Sequence, residues 1–333
     1  MADKINMNEF KNKKVLITGG MGFVGSNLSI RLASLGAEVL IVDNMLPRQG
    51  GNVFNIEPVK DKVKVNISDI RNPTSMNHLV KGMDYIYHIA GQVNHVDSVK
   101  DPLNDLSINV EGTLVLMEAL RMNNPEAKVI FTGTRGEYGS SLSLPVAENH
   151  AINPIGIYAI TNFAAERIVL TYHNLHHIKS LCLRITNTFG PRHQMAHDEY
   201  GVFNWFIRKA MDNEVIPLFG DGRILRDYLY IDDLVDSLIS VALSDNAYGE
   251  VYNVGSGVPL SFLELANKII EIAGSGKTNY TEFTTERKAL EPGDYYADIT
   301  KIKNAIGWEP KISLEDGIKK TIEFYKKNRA KYW

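Results

Sequence analysis

Short apolar runs alternate with amphipathic stretches through the first half of the chain. Five runs have the composition of buried strands, at residues 15–17, 38–44, 63–67, 85–91 and 128–132. After the first run, apolar residues recur at helical spacing. Strands that alternate with helices in this way predict an α/β fold, a doubly wound, Rossmann-like parallel sheet that binds ligands at the carboxyl ends of its strands.

Glycines interrupt the pattern directly after the first predicted strand. Gly19, Gly22 and Gly25 lie between that strand and the following helix, in the spacing G-x-x-G-x-x-G. A strand, a glycine turn and a helix in this order bring unpaired backbone N–H groups and the positive end of the helix dipole to one point. Such a point suits a pyrophosphate, so the pattern predicts a dinucleotide site. The alternative is a tight turn whose glycines serve only the backbone.

A carboxylate ends the second predicted strand. Asp43 lies 18 residues after Gly25, about where a dinucleotide-binding fold places the acid that accepts hydrogen bonds from the adenosine ribose. Because a carboxylate repels a 2′-phosphate, Asp43 favours NAD over NADP. Arg48 is close enough to keep NADP open, and a solvated loop acid is the other interpretation of Asp43.

Hydroxyl and amide side chains follow at the same predicted edge of the sheet. Thr132 and Thr134 come at the end of the fifth strand. Tyr158 and Asn162 are four residues apart in a helix predicted over residues 155–176, so they share one helical face.

The composition shifts in the second half of the chain to shorter segments separated by glycine-rich turns. This predicts a smaller C-terminal substrate-binding lobe over residues 187–333. Residues 1–186 would form the Rossmann-like cofactor domain, to which some later strands return. Arg192, Arg223 and Arg226 lie near loops of the lobe and fit either an anionic ligand or a solvated surface.

The overall composition excludes several classes of protein. Of the 333 residues 44% are hydrophobic, and the formal net charge is −3, so nothing favours nucleic acid or an anionic membrane as a partner. The one cysteine, Cys182, excludes an intramolecular disulfide and fits a reducing cytoplasm. No apolar run approaches the ~18 residues of a membrane span, and residues 1–14 lack a signal-peptide core. We expect a cytoplasmic protein.

Apolar helices raise the question of an oligomer. Residues 114–120 and 155–176 are unusually apolar for helices. Their faces fit either a four-helix interface in a homodimer or higher homo-oligomer, or burial within one chain.

Two further patterns carry no chemistry. Residues 274–278 resemble the end of a phosphate-binding loop, but Glu271 stands where that loop requires a glycine. His173 and His177 are four residues apart without the glutamate of a zinc motif, so no metal site is predicted.

Taken together, these residues resemble the extended short-chain dehydrogenase/reductase family of nucleotide-sugar epimerases and dehydratases. The resemblance runs from residue 14 to about residue 325. Its motifs are Thr18-Gly19-Gly20-x-Gly22-x-x-Gly25, Val42-Asp43-Asn44, Asp69-Ile70-Arg71, His88-Ile89-Ala90-Gly91, Asn109-Val110-Glu111-Gly112-Thr113, Leu183-Arg184-Ile185-Thr186-Asn187-Thr188-Phe189-Gly190-Pro191-Arg192, Arg226-Asp227-Tyr228 and Tyr296-Ala297-Asp298.

The resemblance implies a bound NAD that takes a hydride from the sugar, usually at C4, of a nucleotide-diphosphate sugar. The implied cofactor-binding residues are Gly19, Gly22, Phe23, Val24, Gly25, Asp43, Asn44, Asp69, Ile70, Ala90, Gly91, Asn109, Thr132, Tyr158 and Asn162. Tyr158 would remove the proton of the sugar hydroxyl, and Thr134 would hydrogen-bond the same oxygen. The expected substrate-binding residues are Thr134, Asn187, Arg192 and Arg226, of which Asn187 and Arg226 match positions that contact the diphosphate.

One departure from the family concerns the base. The family pattern is Tyr-x-x-x-Lys, and Asn162 stands in place of the lysine. That lysine holds the nicotinamide ribose and lowers the pKa of the tyrosine, whose unperturbed value is about 10. An amide can still bind ribose but carries no charge, so we expect slow or base-dependent chemistry unless another cation, such as Arg135, substitutes.

Two other departures concern acids. Dehydratases and decarboxylases of this family carry an acid where this chain has Gly136, and Glu137, one residue later, should point elsewhere in a strand-like segment. The arginine that often precedes Pro-Gly-Asp is replaced by Glu291, with Arg287 or Lys288 as possible substitutes.

These residues predict an NAD-dependent nucleotide-sugar 4-epimerase that oxidises C4 of a UDP-hexose-like substrate reversibly. A C4 dehydrogenase that releases the keto sugar would use the same residues, and a 4,6-dehydratase ranks below both because Gly136 offers no acid. A catalytically weak NAD(H)-binding sensor or scaffold is the alternative from another class, and Asn162 is its main support.

Overall fold

The computed structural model describes residues 7–333, except for the side chains at positions 7, 8 and 286, so residues 1–6 of the predicted cofactor domain and of the polar N-terminal stretch lie outside the described residues. The strands are β1 (Lys14–Thr18), β2 (Glu38–Asp43), β3 (Val63–Ile67), β4 (Tyr85–His88), β5 (Lys128–Thr134), β6 (Ser180–Ile185), β7 (Asn187–Phe189), β8 (Val215–Phe219), β9 (Leu225–Tyr230), β10 (Val251–Val254), β11 (Pro259–Ser261) and β12 (Lys277–Thr281). The helices are α1 (Phe23–Ser34), α2 (Pro73–Leu79), α3 (His95–Lys100), α4 (Pro102–Leu106), α5 (Gly112–Asn123), α6 (Ile157–His176), α7 (Val202–Met211), α8 (Ile231–Ala242), α9 (Phe262–Ala273), α10 (Thr285–Ala289), α11 (Thr300–Ile306) and α12 (Leu314–Asn328).

Seven parallel strands form the central sheet, in the order β10-β6-β5-β4-β1-β2-β3. The predicted doubly wound α/β fold is therefore confirmed. β1 pairs with β2 on one side and with β4 on the other, so the direction of winding changes beside β1. A fold of this kind binds ligands outside the carboxyl ends of the strands at that point. β10, from the second half of the chain, joins the sheet beside β6.

Side chains of β1 show how the sheet is buried. Val15 and Ile17 belong to the apolar core on one face, and Leu16 belongs to the core on the other face. Neighbouring residues of a strand point to opposite faces, so an uninterrupted apolar run is what a sheet covered on both sides requires. Cys182 in β6 is fully buried in the second of these cores.

A π-helical turn separates the two helices that follow Asp101. The side chain of Asp101 accepts a hydrogen bond from the N–H of Asn104 and so caps α4. The π turn, Ser107–Glu111, then separates α4 from α5. Such turns recur at functional sites, and this one carries Asn109.

Two small sheets in the second half, β11-β9-β7 and β12-β8, stand beside the carboxyl end of the central sheet with helices packed on them. None of the helices within residues 7–333 is both long enough and apolar enough to cross a membrane.

A buried carboxylate on β9 ties three segments of this half together. Asp227 accepts hydrogen bonds from the N–H and hydroxyl of Ser256, both at 2.7 Å, and from the N–H groups of Gly257 and Ala297, both at 3.1 Å. Burial raises the pKa of Asp227, and these hydrogen bonds oppose the rise. The carboxylate therefore holds the loop after β10 and the segment around Ala297 against β9.

We predict that Asp227→Ala lowers the free energy of unfolding by about 3 kcal/mol, because it leaves three buried N–H groups without acceptors. Urea denaturation followed by circular dichroism measures the change. Asp61→Ala, at an exposed turn residue, is the control and should change stability by less than about 0.5 kcal/mol. A loss below about 1 kcal/mol for Asp227→Ala would contradict this role.

Candidate active site

The glycine turn between β1 and α1 leaves an open cavity at the carboxyl end of the sheet. Gly19 has a φ of +70°, and a Cβ there would lie 2.9 Å from the backbone of Ala90. A Cβ on Gly25 would lie 2.3 Å from the carbonyl oxygen of Gly19. The N-cap residue of α1, Gly22, provides no side-chain cap, so the N–H groups of the first helical turn stay free for an anion.

All but one of the predicted cofactor-binding residues line this cavity. They are Gly19, Gly22, Phe23, Val24, Gly25, Asp43, Asn44, Ile70, Ala90, Gly91, Asn109, Thr132, Tyr158 and Asn162. The exception is Asp69, which hydrogen-bonds Nη2 of Arg71 at 2.6 Å and Nδ2 of Asn44 at 2.8 Å. The bonds from Arg71 lower the pKa of Asp69 to about 2. Asp69 therefore positions Asn44 instead of lining the cavity itself.

The predicted ribose-binding acid forms part of the cavity wall. One carboxylate oxygen of Asp43 accepts the N–H of Met21 at 2.9 Å, and the other accepts the N–H of Met45 at 2.8 Å. Burial raises the pKa of Asp43, and the two hydrogen bonds oppose that rise. Each oxygen keeps a lone pair for a ribose hydroxyl. Arg48, the residue that kept NADP as an alternative cofactor, forms an ion pair with Glu199.

Asn109, on the π turn, connects the inner wall of the cavity. Its Oδ1 accepts the N–H of Gln92 at 2.8 Å, and its Nδ2 donates to the hydroxyl of Thr161 at 3.1 Å. Gln92 lies in the loop after β4, and Thr161 lies on α6. This side chain therefore fixes that loop relative to the helix that carries Tyr158.

Tyr158 stands at the boundary between two cavities. It lines the cofactor cavity and also a second cavity, bounded by the small sheets and called the substrate cavity below. Thr134, at the end of β5, lines the substrate cavity, and its hydroxyl accepts the N–H of Gly136 at 3.1 Å. Asn162 lines the cofactor cavity, and its Nδ2 donates to the carbonyl oxygen of Tyr158 at 2.8 Å. A hydroxyl placed between Thr134 and Tyr158 would lie beside both cavities.

The surroundings of Tyr158 oppose its use as a base at neutral pH. Burial raises the pKa of Tyr158 to about 12, and the nearby carboxylates of Glu137 and Asp105 add to the rise. The Thr134 hydroxyl and the Arg135 guanidinium lower this pKa without cancelling the effect of burial. Arg135 therefore replaces the missing lysine only in part.

Three arginines line the substrate cavity, and two of them pair with carboxylates. Arg226, which is buried, pairs with Glu291 and also donates to two neighbouring backbone carbonyls. Arg287 pairs with Asp198 at 3.3 Å. Glu291, which stands where the family often has an arginine, thus neutralises Arg226. The third arginine is Arg135.

The two other predicted substrate residues differ in their placement. Asn187 lines the substrate cavity, and its Oδ1 accepts a hydrogen bond from Nε of Arg135 at 3.0 Å. Arg192 lies outside both cavities. It donates to the carbonyl oxygen of Asn55 at 3.1 Å and to Oδ1 of Asn27 at 2.9 Å. The guanidinium thus joins α1 to the second half of the chain, and we leave Arg192 out of the substrate site.

Sequence reasoning did not single out His95. Its ring packs against that of Tyr158, with centroids 4.3 Å apart, and its surface is open to the substrate cavity. Burial between the cavity walls, followed by the charges of Arg135 and Arg226, lowers the pKa of His95 to about 4, so it is neutral at pH 7. The sequence signal that could have pointed to His95 is its position a few residues after β4, at the start of α3.

The acid of the dehydratases is missing from the cavity. Glu137 is fully buried, with one carboxylate oxygen 3.1 Å from Nε of Arg184 and the other accepting the N–H of Thr134 at 2.9 Å. The prediction that Glu137 points elsewhere is confirmed. Gly136 lines the cavity and has no side chain to act as an acid.

Comparison with known proteins agrees with this geometry. The family model for GDP-mannose 4,6 dehydratase matches residues 16–321. A putative UDP-glucose 4-epimerase of Methanocaldococcus jannaschii is 34% identical over 316 residues, which are 94% of this chain and 99% of that protein. The structure of UDP-glucose 4-epimerase from Thermotoga maritima with UDP-glucose has a TM-score of 0.87 at 30% identity, covering 95% of this chain and 99% of that one. The dTDP-glucose 4,6-dehydratase of Streptomyces venezuelae, solved with NAD bound, has a TM-score of 0.87 at 26% identity, covering 95% and 98%.

We predict that Gly25→Ala weakens NADH binding by at least about tenfold, because the added Cβ displaces the carbonyl of Gly19 and with it the turn. Titration of NADH fluorescence measures the affinity. Gly82→Asn is the control and should leave the affinity unchanged, because the position is open, with nothing within 4 Å of a Cβ, and asparagine tolerates its φ of +67°. Equal affinities for Gly25→Ala and the unaltered chain would contradict the role of the glycine turn in binding the cofactor.

Proposed function

Because the chain belongs to the GDP-mannose 4,6 dehydratase family, of the extended short-chain dehydrogenase/reductase type, we propose that it is an NAD-dependent nucleotide-sugar 4-epimerase. The observation that carries the proposal is the placement of Tyr158 at the boundary between a cofactor cavity and a substrate cavity, with Thr134 lining the substrate cavity. Related structures contain NAD in one case and UDP-glucose in another.

The cofactor cavity fits NAD on three independent features. The glycine turn has no room for side chains, the first turn of α1 offers free N–H groups, and Asp43 offers lone pairs to a ribose. Asn162 would hydrogen-bond the nicotinamide ribose without adding charge. When bound, NAD supplies a hydride acceptor that can also return the hydride.

The chain's own residues handle the proton and the oxygen. Tyr158 removes the proton of the C4 hydroxyl as C4 loses its hydride, and Thr134 holds the same oxygen. The keto sugar then turns within the substrate cavity, whose volume is about 440 Å³. Tyr158 returns the proton when the opposite face of C4 regains the hydride, which inverts the configuration.

Epimerisation is preferred to dehydration because elimination of water needs an acid positioned beside the sugar. Gly136 cannot act as an acid, and Glu137 is engaged with Arg184 and the backbone of Thr134. A C4 dehydrogenase would use the same residues and differs only in releasing the keto sugar.

The remaining parts of the proposal concern organisation. We place the cofactor domain in residues 1–186 and the substrate lobe in 187–333, since most residues lining each cavity follow this division. We also propose a cytoplasmic homodimer that binds neither nucleic acid nor membranes. The homodimer would use α5 and α6, where Leu114 and Ile160 are 43% and 47% exposed.

We predict that Tyr158→Phe abolishes C4 epimerisation and leaves NADH affinity nearly unchanged, because only the phenolic oxygen is lost. Proton NMR of UDP-glucose incubated with the protein and NAD, together with NADH titration, measures both. If the unaltered chain binds NADH but changes no UDP-sugar, the scaffold alternative is favoured. Full activity of Tyr158→Phe would show that another group is the base.

We predict that the rate rises about tenfold per pH unit from pH 6 to 9, because the reactive form is the phenolate and the pKa of Tyr158 lies near 12. Asn162→Lys should raise the rate at pH 7 by roughly 10- to 100-fold, since a nearby cation lowers the phenol pKa. Asn162→Gln, which adds length without charge, is the matched control. An inflection near pH 7 in the unaltered chain would contradict this account.

A further inference from the structure

One guanidinium of the substrate cavity has no carboxylate partner among the side chains that the structure describes. Arg226 pairs with Glu291 and Arg287 pairs with Asp198. The charges of these two arginines are therefore already balanced before any ligand binds. Arg135 forms no ion pair with the described residues. The charge of Glu291 raises the pKa of Arg135, but the ion-pair partner of Glu291 is Arg226.

The contacts of Arg135 leave most of its donors free. Nε donates to Oδ1 of Asn187 at 3.0 Å, and the guanidinium carbon lies 5.2 Å from the ring centroid of Tyr295. Neither terminal nitrogen has a hydrogen-bond acceptor among the described residues, and both belong to a side chain that lines the cavity. An arginine presents these terminal N–H groups as a planar fork that matches a carboxylate.

Arg135 also lies close to the reacting groups. It directly follows Thr134 in the chain, and its charge lowers the pKa of both Tyr158 and His95. In a hexose that reacts at C4, the C6 substituent is attached at the adjacent C5, whereas the diphosphate is attached at C1 on the far side of the ring. A cation beside the residue that holds the C4 oxygen is therefore positioned for C6.

A cation without a partner in this cavity is costly. Burial and the neighbouring Arg226 both disfavour its charged form and lower the pKa of Arg135 to about 10. An anionic group on the ligand would remove this cost, while a neutral hydroxymethyl group would leave the terminal N–H groups without a charged acceptor.

We infer that the sugar of the substrate carries a carboxylate at C6 and that Arg135 binds it, so the substrate is a nucleoside diphosphate hexuronate. The inference rests on the proposed function for the position of C4. It gives Arg135 the role of a specificity-determining residue, separate from the diphosphate contacts expected of Asn187 and Arg226.

The test measures binding, so that it does not depend on turnover. In a Tyr158→Phe background saturated with NAD, calorimetric titrations give the affinities for UDP-glucuronate and UDP-glucose. We expect UDP-glucuronate to bind about 10- to 100-fold more tightly, the range of a charge-assisted hydrogen-bonded pair. Arg135→Ala should remove that preference and change the affinity for UDP-glucose by less than about threefold.

Two further variants make the test specific. Arg135→Lys keeps the charge and loses the fork, so it should retain part of the preference. Arg223→Ala removes a charge from an arginine that is 83% exposed and lies outside both cavities, and it should leave both affinities unchanged. Thermal unfolding of each variant confirms that the fold is intact.

Several results would overturn the inference. The inference fails if the protein that retains Arg135 binds UDP-glucose more tightly than UDP-glucuronate. It also fails if the preference for UDP-glucuronate survives in Arg135→Ala. Equal weakening of both ligands in Arg135→Ala would show that Arg135 serves the diphosphate instead. If neither nucleotide sugar binds, the proposed function fails together with the inference, whereas binding of both without a change in their ratio rejects the inference alone.

Discussion

A buried guanidinium fixes Thr134 and Tyr158, the two side chains proposed to be catalytic, relative to each other. Arg184, on β6, donates from Nη2 to Glu166 at 2.7 Å and lies 3.1 Å through Nε from Glu137. Glu166 is on α6, two turns beyond Tyr158, and Glu137 holds the backbone N–H of Thr134. All three charged groups are almost fully buried, so losing one would leave an uncompensated charge in the core. Burial and the neighbouring Glu166 raise the pKa of Glu137 well above its ordinary value, so uptake of a proton by Glu137 relieves the repulsion between two carboxylates that share one guanidinium.

The same cluster influences the chemistry in front of it. Glu137 raises the pKa of Tyr158, while the cation that would lower it most is absent because Asn162 stands one helical turn away. In the substrate cavity, by contrast, Arg135 provides a positive charge that has no carboxylate partner among the described side chains. The site therefore combines a cation that can bind an anionic ligand, Arg135, with a tyrosine that is only weakly activated as a base, Tyr158.

Local patterns were sufficient for much of this site. The glycine spacing, the acid after β2 and the four-residue spacing of Tyr158 and Asn162 each depend on a few adjacent residues, and the structure places all of them on the cofactor cavity. What escaped prediction depends on contacts between distant segments. Arg192 is held outside both cavities by partners more than 130 positions earlier in the chain. The stacking of His95 on Tyr158 likewise joins two segments that only the folded sheet brings together.

The account depends most on the claim that C4 is oxidised and reduced again within one bound state. UDP-glucuronate and UDP-glucose that carry deuterium at C4 can be incubated with the protein and NAD in ordinary water at alkaline pH. Proton NMR and mass spectrometry of the products then locate the label. The proposed function predicts a C4 epimer that keeps its deuterium at C4. Loss of the label from C4, or a product that has lost water and carries the deuterium at C6, would contradict it.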